Sequence, residues 1–333
     1  MKKKTFLFVG LGSIGKRQLS NFIKYAENID ICDSRKDRLR EVKKKFSIRN
    51  IFETAEKALN NTYDAIFICT PPSSHLKIAK LAVKKNINIF IEKPMGINSK
   101  GWSEVFENCK KKKLINYIDY CHRFIPYTQK LKKIILKEKA IGKIYSGHIR
   151  WSSYLPYWHP HERYTNFYMS KKHLGGGALL DDSHGIDLIR YLFGDIKSVM
   201  GEVKNLSDLK MTSDDSVHGI MNLKNKILIN MSFELYESNP EISLKLVGSK
   251  GSINWDRVKN EISIYSKKNK KYKKLKFTQE NLLSMYPLQA KYFMQLLEKK
   301  QKNNINNIKD AMNTQKTIDA FFKSSKLKKL INV

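Results

Sequence analysis

Over roughly the first 120 residues, short apolar runs alternate with amphipathic, charged stretches. The runs are Thr5 to Val9, Ile29 to Cys32, Ala65 to Cys69, Ile87 to Ile91 and Leu114 to Tyr120, with a shorter one near Ile51. Helical stretches are predicted from near Ile14, Asp37, Ser73 and Ser99. The second of these carries Leu39, Val42 and Phe46 at spacings of three and four, a single apolar stripe on a basic helix. Strands alternating with crossover helices predict a doubly wound, parallel α/β domain.

Beyond residue 121 the texture changes. A helix is predicted over Pro126 to Glu138, a strand over Lys143 to Ser152, then an aromatic loop and a helix over Ala178 to Phe193. From Val199 the segments Val217 to Leu223, Lys226 to Glu234, Ile242 to Val247 and Glu261 to Tyr265 read as strands separated by turn residues. Strands grouped in this way predict a mostly antiparallel sheet in an α+β domain. The last 45 residues read as helical, no repeat has a solenoid period, and no Pro- or Ser-rich linker interrupts the chain. The expected division is 1–121 for a nucleotide-binding domain and 122–333 for a substrate and assembly domain, with the C-terminal helix able to pack back on the first.

Composition adds bounds. The 333 residues, 41% hydrophobic, can bury a substantial core. The formal net charge of +32 raises nucleic acid or an anionic membrane as partners. Yet 53 lysines and ten arginines are spread along the chain rather than concentrated on one element, and base readout favours Arg, so a solvated lysine surface is expected without a specific nucleic-acid or membrane partner. Cys32, Cys69, Cys109 and Cys121 lie far apart with no C-x-x-C pair; no metal site or disulfide framework is expected, and a reducing cytoplasm fits. The opening MKKKTFLFVGLGSIG mimics a secretion signal, but Gly10 and Gly12 break its apolar stretch and no small-residue cleavage site follows, so a buried strand is expected. No apolar stretch is long enough to cross a bilayer.

Gly10-Leu11-Gly12-Ser13-Ile14-Gly15 fits G-x-G-x-x-G between a predicted strand and a predicted helix, the context that motif requires. The first glycine allows the tight turn, the second lets a pyrophosphate approach the backbone, and the third lets helix and strand pack closely. Asp33 stands 21 residues beyond Gly12, where a carboxylate can accept ribose hydroxyls. A carboxylate there would repel a 2′-phosphate, which favours NAD. Arg35, Lys36 and Arg38 crowd the same turn, and NADP is the alternative. Arg38 has two further readings, stacking over the adenine or a solvated helix position.

Cys69-Thr70-Pro71-Pro72-Ser73-Ser74-His75, Phe90-Ile91-Glu92-Lys93-Pro94, Arg123-Phe124-x-Pro126 and Gly175-Gly176-Gly177-Ala178-Leu179-Leu180-Asp181 follow the glycine motif in order. Together they resemble the Gfo/Idh/MocA oxidoreductase family over essentially the whole chain. Ser153-Tyr154-Leu155-Pro156-x-Trp158, Arg163-Tyr164, Tyr168 and Ser183-His184 are similar to a branch of it associated with bacterial surface-glycan sugar metabolism. The resemblance implies a Rossmann domain, a second domain whose open sheet forms a homodimer or homotetramer interface, and hydride exchange with a sugar, nucleotide-sugar or polyol carbon. It places Thr70, Pro71, Pro72 and His75 beside the cofactor with Glu92 and Lys93, and Ser34 and His122 complete the expected cofactor shell.

The residues themselves support catalytic roles. A lysine at the carboxyl end of a parallel strand projects into the crevice where such sheets bind ligands, and Pro94 fixes the backbone after it. Near a positively charged nicotinamide its proton affinity falls, so Lys93 can exchange a proton with a reacting hydroxyl. Asp181, His184 and Asp187, spaced by three, fall within a 120° arc of one predicted helix, where His184 suits proton removal and an Asp can orient its ring. In much of the family the aspartate precedes the histidine by four. Here that position is Leu180, which leaves Asp181 rotated by about 100°. From Tyr154 to Tyr168 eight ring-bearing side chains, His159 and His161 among them, crowd fifteen residues. Tyr154, Trp158 and Tyr164 suit the C–H faces of a sugar, and Arg163, with Arg123 and Asp187, its polar groups; an interface patch is the competing reading. The expected reaction has a substrate hydroxyl, held by Lys93 and His184, losing its proton as hydride leaves. An NAD(H)-binding sensor and an inositol or polyol dehydrogenase are the alternatives.

Overall fold

A computed structural model describes residues 2–158 and 162–333. By its contacts the chain divides into two units, Met1–Tyr120 with Tyr286–Met312, and Cys121–Met285 with Asn313–Val333.

The first unit runs β1 (Lys4–Val9), α1 (Ser13–Phe22), β2 (Ala26–Cys32), α2 (Lys36–Lys45), β3 (Asn50–Phe52), α3 (Ala55–Ala58), β4 (Ala65–Ile68), α4 (Pro72–Lys84), β5 (Asn88–Glu92), α5 (Trp102–Lys111) and β6 (Asn116–Asp119). Among the described residues its sheet has six strands in the order β3-β2-β1-β4-β5-β6, paired in parallel throughout. The order reverses between β1 and β4, where open α/β sheets form a ligand crevice beyond their carboxyl ends. Strand alternation splits the core by chemistry. Leu7, Val9, Ile66, Ile68, Ile89, Ile91 and Ile118 pack with Ile78, Ala82 and Val105 of α4 and α5. The alternate positions Phe6, Phe67, Phe90 and Tyr117 make an aromatic face that also takes Phe22 of α1, with Phe90 stacked 4.9 Å from Tyr117. Predicted and observed strands agree within a few residues. The last helix begins at Trp102 rather than Ser99 because Gly101, at φ 81, sets its entry.

The second unit contains α6 (Pro126–Leu136), β7 (Ile144–Tyr154), α7 (Ala178–Asp181), α8 (Ser183–Phe193), β8 (Ile196–Lys204), β9 (Ser216–Leu223), β10 (Leu228–Glu234), β11 (Tyr236–Gly248), β12 (Gly251–Asp256), β13 (Glu261–Ser266), β14 (Lys271–Lys276) and α9 (Gln279–Leu283). The chain then passes through α10 (Met285–Leu297) and α11 (Ile308–Leu327) to β15 (Ile331–Asn332). Its described strands make a nine-stranded sheet, β14-β13-β12-β11-β7-β10-β9-β8-β15, antiparallel except where β10 lies parallel to β7. Ile149, Trp151, Met231 and Phe233 are buried on one face, whereas Met200, Ile220, Leu228 and Val247 are exposed on the other. A Cβ at Gly185 would lie 2.4 Å from the Phe233 ring, so α8 rests directly on β10 at the residue after His184. One predicted helix is two in the structure, because the chain turns at Asp182 (φ −85°, ψ 18°) between α7 and α8. The lysine run at 270–274, read as solvated surface, falls largely on the edge strand β14, which is exposed at all but one residue. No described helix is long and apolar enough to cross a membrane.

Candidate active site

The first unit builds a dinucleotide cradle from three glycines with distinct surroundings. A Cβ at Gly15 would meet the Gly10 carbonyl oxygen at 1.9 Å, and one at Gly10 would meet the Cys69 carbonyl at 2.6 Å, so turn and helix pack at backbone contact. At Gly12 the nearest such atom is the Arg38 guanidinium, 3.7 Å away, which leaves this side open to an approaching group. No side chain caps α1, whose first turn carries Ser13 and Ile14, so its N–H groups face that opening. Asp33 is buried at the end of β2. Its Oδ2 accepts the Leu11 N–H (2.6 Å) and its Oδ1 the Arg35 N–H (2.8 Å), with Arg38 Nη1 3.8 Å away. Each oxygen keeps a lone pair for a hydroxyl. Ser34 is exposed on the same turn. These features fit a bound dinucleotide.

Beside this cradle, Thr70, Pro71 and Pro72 lead into α4, and Ser74 Oγ donates to Thr70 Oγ1 (2.6 Å). His75 is fully buried with Nε2 2.7 Å from the Thr70 carbonyl and Nδ1 3.1 Å from the Pro94 carbonyl, bracing the segments that follow β4 and β5. Burial holds its imidazole below the ordinary range. Glu92 is buried at the last position of β5; Lys93, half-buried, follows it, and the Lys93–Pro94 peptide is cis. Sequence reasoning missed what Glu92 touches: Gln18 of α1 donates to both Glu92 and the equally buried Asp119. The one available signal was a carboxylate inside the apolar run Leu114 to Tyr120.

In the second unit α8 presents His184 at its first turn. His122 stacks on it, 4.0 Å between ring centroids and 8° from parallel, and the Trp151 ring of β7 lies 5.2 Å from His122 and 6.1 Å from His184. Donor atoms of Cys121, His122 and His184 come within 4.8 Å of one another. Imidazoles that are nearly parallel aim their in-plane lone pairs along lines that do not meet, so this cluster is not built to ligate one ion. Arg123 and Asp187 are both buried and bonded to each other, Nε to Oδ2 at 2.8 Å and Nη2 to Oδ1 at 2.5 Å. Thr314 adds a hydroxyl to Asp187 (3.3 Å) and itself accepts from Arg190 (2.8 Å). This pair, expected to contact substrate, ties the 121–124 turn to α8. Asp181 accepts the Tyr168 hydroxyl (2.7 Å). With the chain turning at Asp182, a single helical projection does not carry Asp181 onto the face of His184.

The aromatic loop is partly packed on itself. Tyr154 meets Tyr157 edge-on at 4.7 Å, Trp158 Nε1 donates to Ser153 Oγ (3.1 Å), and the Tyr164 hydroxyl accepts the Lys210 N–H (2.9 Å). Arg163 is exposed. His159 and His161 lie outside the described residues.

Asp214, also missed, anchors the start of α7: its backbone carbonyl accepts the Ala178 N–H (2.9 Å) and its Oδ2 the Leu179 N–H (2.8 Å). Burial, against those hydrogen bonds, pushes its carboxyl up to about 6. A carboxyl raised in the folded state stabilises as the neutral acid; that contribution is whole below about pH 4 and lost as pH rises through about 6. Asp214→Asn keeps the acceptor without the charge. It is expected to gain about 1–1.5 kcal/mol relative to wild type between pH 5 and pH 8, read from urea midpoints at the two pH values.

A six-stranded parallel sheet with the topology of dinucleotide-binding folds, and a large, mostly antiparallel sheet in the second unit, define a two-domain dinucleotide-binding architecture. Residues 4–120 match the profile of the oxidoreductase family with an NAD-binding Rossmann fold, and residues 128–254 match the GFO/IDH/MocA C-terminal domain. The chain belongs to the GFO/IDH/MocA oxidoreductase family, and its first domain is an NAD-binding Rossmann domain. It is 26% identical over 266 residues to myo-inositol 2-dehydrogenase of Thermotoga maritima, covering 75% of each chain. Oxidoreductase P35 of Formosa agariphila is 24% identical over 271 residues, 77% of this chain and 80% of that one. Levoglucosan dehydrogenase, solved with NADH and levoglucosan, shares the fold at TM-score 0.87 and 18% identity over the whole of both chains. So does the WlbA dehydrogenase of Bordetella pertussis, solved with NADH and UDP-GlcNAcA, at TM-score 0.83 and 19% identity over 100% of this chain and 98% of that one.

Proposed function

We propose that the protein is an NAD-dependent dehydrogenase or reductase acting on a hydroxyl or keto carbon of a sugar or nucleotide sugar, in surface-glycan biosynthesis. The observation that carries this reading is the glycine cradle with Asp33 at its rim and Glu92-Lys93 at the carboxyl end of the same parallel sheet. The sugar ligands of the structural neighbours support the substrate class. Gly10, Gly12 and Gly15 admit the pyrophosphate to the α1 N-terminus, Asp33 accepts ribose hydroxyls, and Thr70, Pro71 and Glu92 line the nicotinamide end. A bound nicotinamide supplies the hydride acceptor or donor. Lys93 and His184 are the candidate groups for proton exchange with a reacting hydroxyl, and Trp158 and Tyr154 offer ring faces to a sugar. Residues 1–120 with 286–312 form the cofactor half, and 121–285 with 313–333 the substrate half. Four free, buried cysteines suit a reducing cytoplasm.

The test is a screen of sugars and nucleotide sugars with NAD, read as absorbance of the reduced nicotinamide. Tight NADH binding with no turnover across the screen would instead mark a sensor. Asp33 sets the cofactor preference. Its buried carboxylate is expected to make NADPH bind at least about tenfold more weakly than NADH, a difference of about 1.4 kcal/mol in fluorescence titrations, and Asp33→Ser to narrow the gap. Equal affinities in the wild type would refute that role. The exposed Met200, Ile220, Leu228 and Val247 on the outer sheet face support a homodimer or homotetramer built there. Sedimentation equilibrium should give a multiple of the chain mass, reduced by Ile220→Glu.

A further inference from the structure

Glu92 and Asp119 end adjacent strands and stand opposite each other in the parallel β5–β6 ladder, so their carboxyls leave the sheet on the same face. Each sits one layer above an aromatic residue. Two positions earlier on the strands are Phe90 and Tyr117. On the helices above them Gln18 is followed one turn later by Phe22, and Gln289 by Phe293, both in contact with Phe90. The polar quartet Gln18, Glu92, Asp119 and Gln289 thus caps a dry aromatic floor, each member 5% exposed or less. Gln18 Nε2 donates to Glu92 Oε1 and to Asp119 Oδ2, both at 2.7 Å. Gln289 Nε2 donates to Asp119 Oδ2 (3.1 Å) and to Gln18 Oε1 (3.2 Å).

One amide nitrogen therefore joins two carboxyls in a site with little water, where two full charges cannot persist together. Asp119 Oδ1 receives no N–H or hydroxyl among the described residues, which marks where a proton is needed. Burial first, then the charge of Glu92, holds Asp119 well above the usual carboxylate range; burial also raises Glu92, and Lys93 draws both down. A further ionisable neighbour is the Cys69 thiol, which burial and these carboxyls keep protonated.

We propose that Glu92 and Asp119 share a single proton and act as the charge compensator of the cofactor site, with Asp119 as a positioning residue for the charge beside Lys93. This rests on the reading that the nicotinamide lies next to Glu92 and Lys93. Oxidised nicotinamide carries a positive ring charge and the reduced form does not. When the oxidised form binds, the pair gives a proton to solvent; when hydride converts it to the neutral form, the pair takes one back.

Two measurements test this. Infrared spectra of the cofactor-free protein at pH 8, where Asp214 is ionised, should show the C=O stretch of a protonated carboxyl that disappears in Asp119→Asn. Asparagine can accept from Gln18 and Gln289 while donating to Glu92, so this variant keeps the network in a fixed one-charge state. Calorimetric titration in two buffers of different ionisation heat should show release of a fraction of a proton on binding NAD and none on binding NADH, with that difference lost in Asp119→Asn. A wild type without the carboxyl band overturns the shared proton. Equal proton counts for the two cofactor forms, or a difference that persists in Asp119→Asn, overturn the compensator alone. Failure to bind either form overturns the cofactor reading and the compensator with it.

Discussion

Lys93→Met is expected to lower turnover by about 10²- to 10⁴-fold with whichever sugar reduces NAD, while NADH still binds. Methionine keeps an unbranched stem and removes the ammonium, so the loss reports chemistry rather than folding. In a chain with 53 lysines this is the decisive control, since most of them are solvated charge. His184→Gln should give a loss of the same order and flatten the acid limb of the pH profile of kcat/KM, because the base that must be neutral is then gone. Stacked on His122 at 4.0 Å, His184 is held by ring packing on one side, which Gln only partly fills. Melting curves must accompany the kinetics. Full turnover in either variant, with the fold intact, sinks its assignment.

The second large effect concerns stability. Arg123 and Asp187 are 5% and 2% exposed at their side chains, so removing one partner strands a buried charge. Arg123→Met or Asp187→Leu alone is expected to cost about 3–5 kcal/mol, whereas the double variant should recover most of that loss, because a buried ion pair often only balances its own desolvation. Chemical denaturation of the four proteins gives the coupling energy. Additive losses in the double variant would show that the two residues contribute separately, through substrate or packing, and not as the clamp between the 121–124 turn and α8.

What could be read from the chain was local. Short continuous apolar runs alternating with charged stretches marked the strands of the first domain, and G-x-G-x-x-G in a strand-to-helix context marked the cradle, since these patterns depend on neighbours within a few residues. Asp33 was legible for the same reason, at a spacing that one βαβ unit imposes. Local reasoning failed where the deciding partner is distant. Lys271–Lys276 forms a strand because β13 pairs with it, not because lysine favours one. The turn at Asp182 belongs with the contacts of Asp214, thirty or so residues on, at the start of α7.

The sequence by itself determined the fold class, the family motifs and the identity of the groups able to do chemistry. Tertiary structure alone decided which of them are charged, paired or held in place. Arg123 and Asp187, read as substrate ligands, neutralise each other, and Asp119 beside Glu92, invisible as a site residue, meets two glutamines from helices about 100 and 170 residues away in the chain. Charge state depends on burial and on through-space neighbours, and those are properties of the packed chain rather than of any stretch of it.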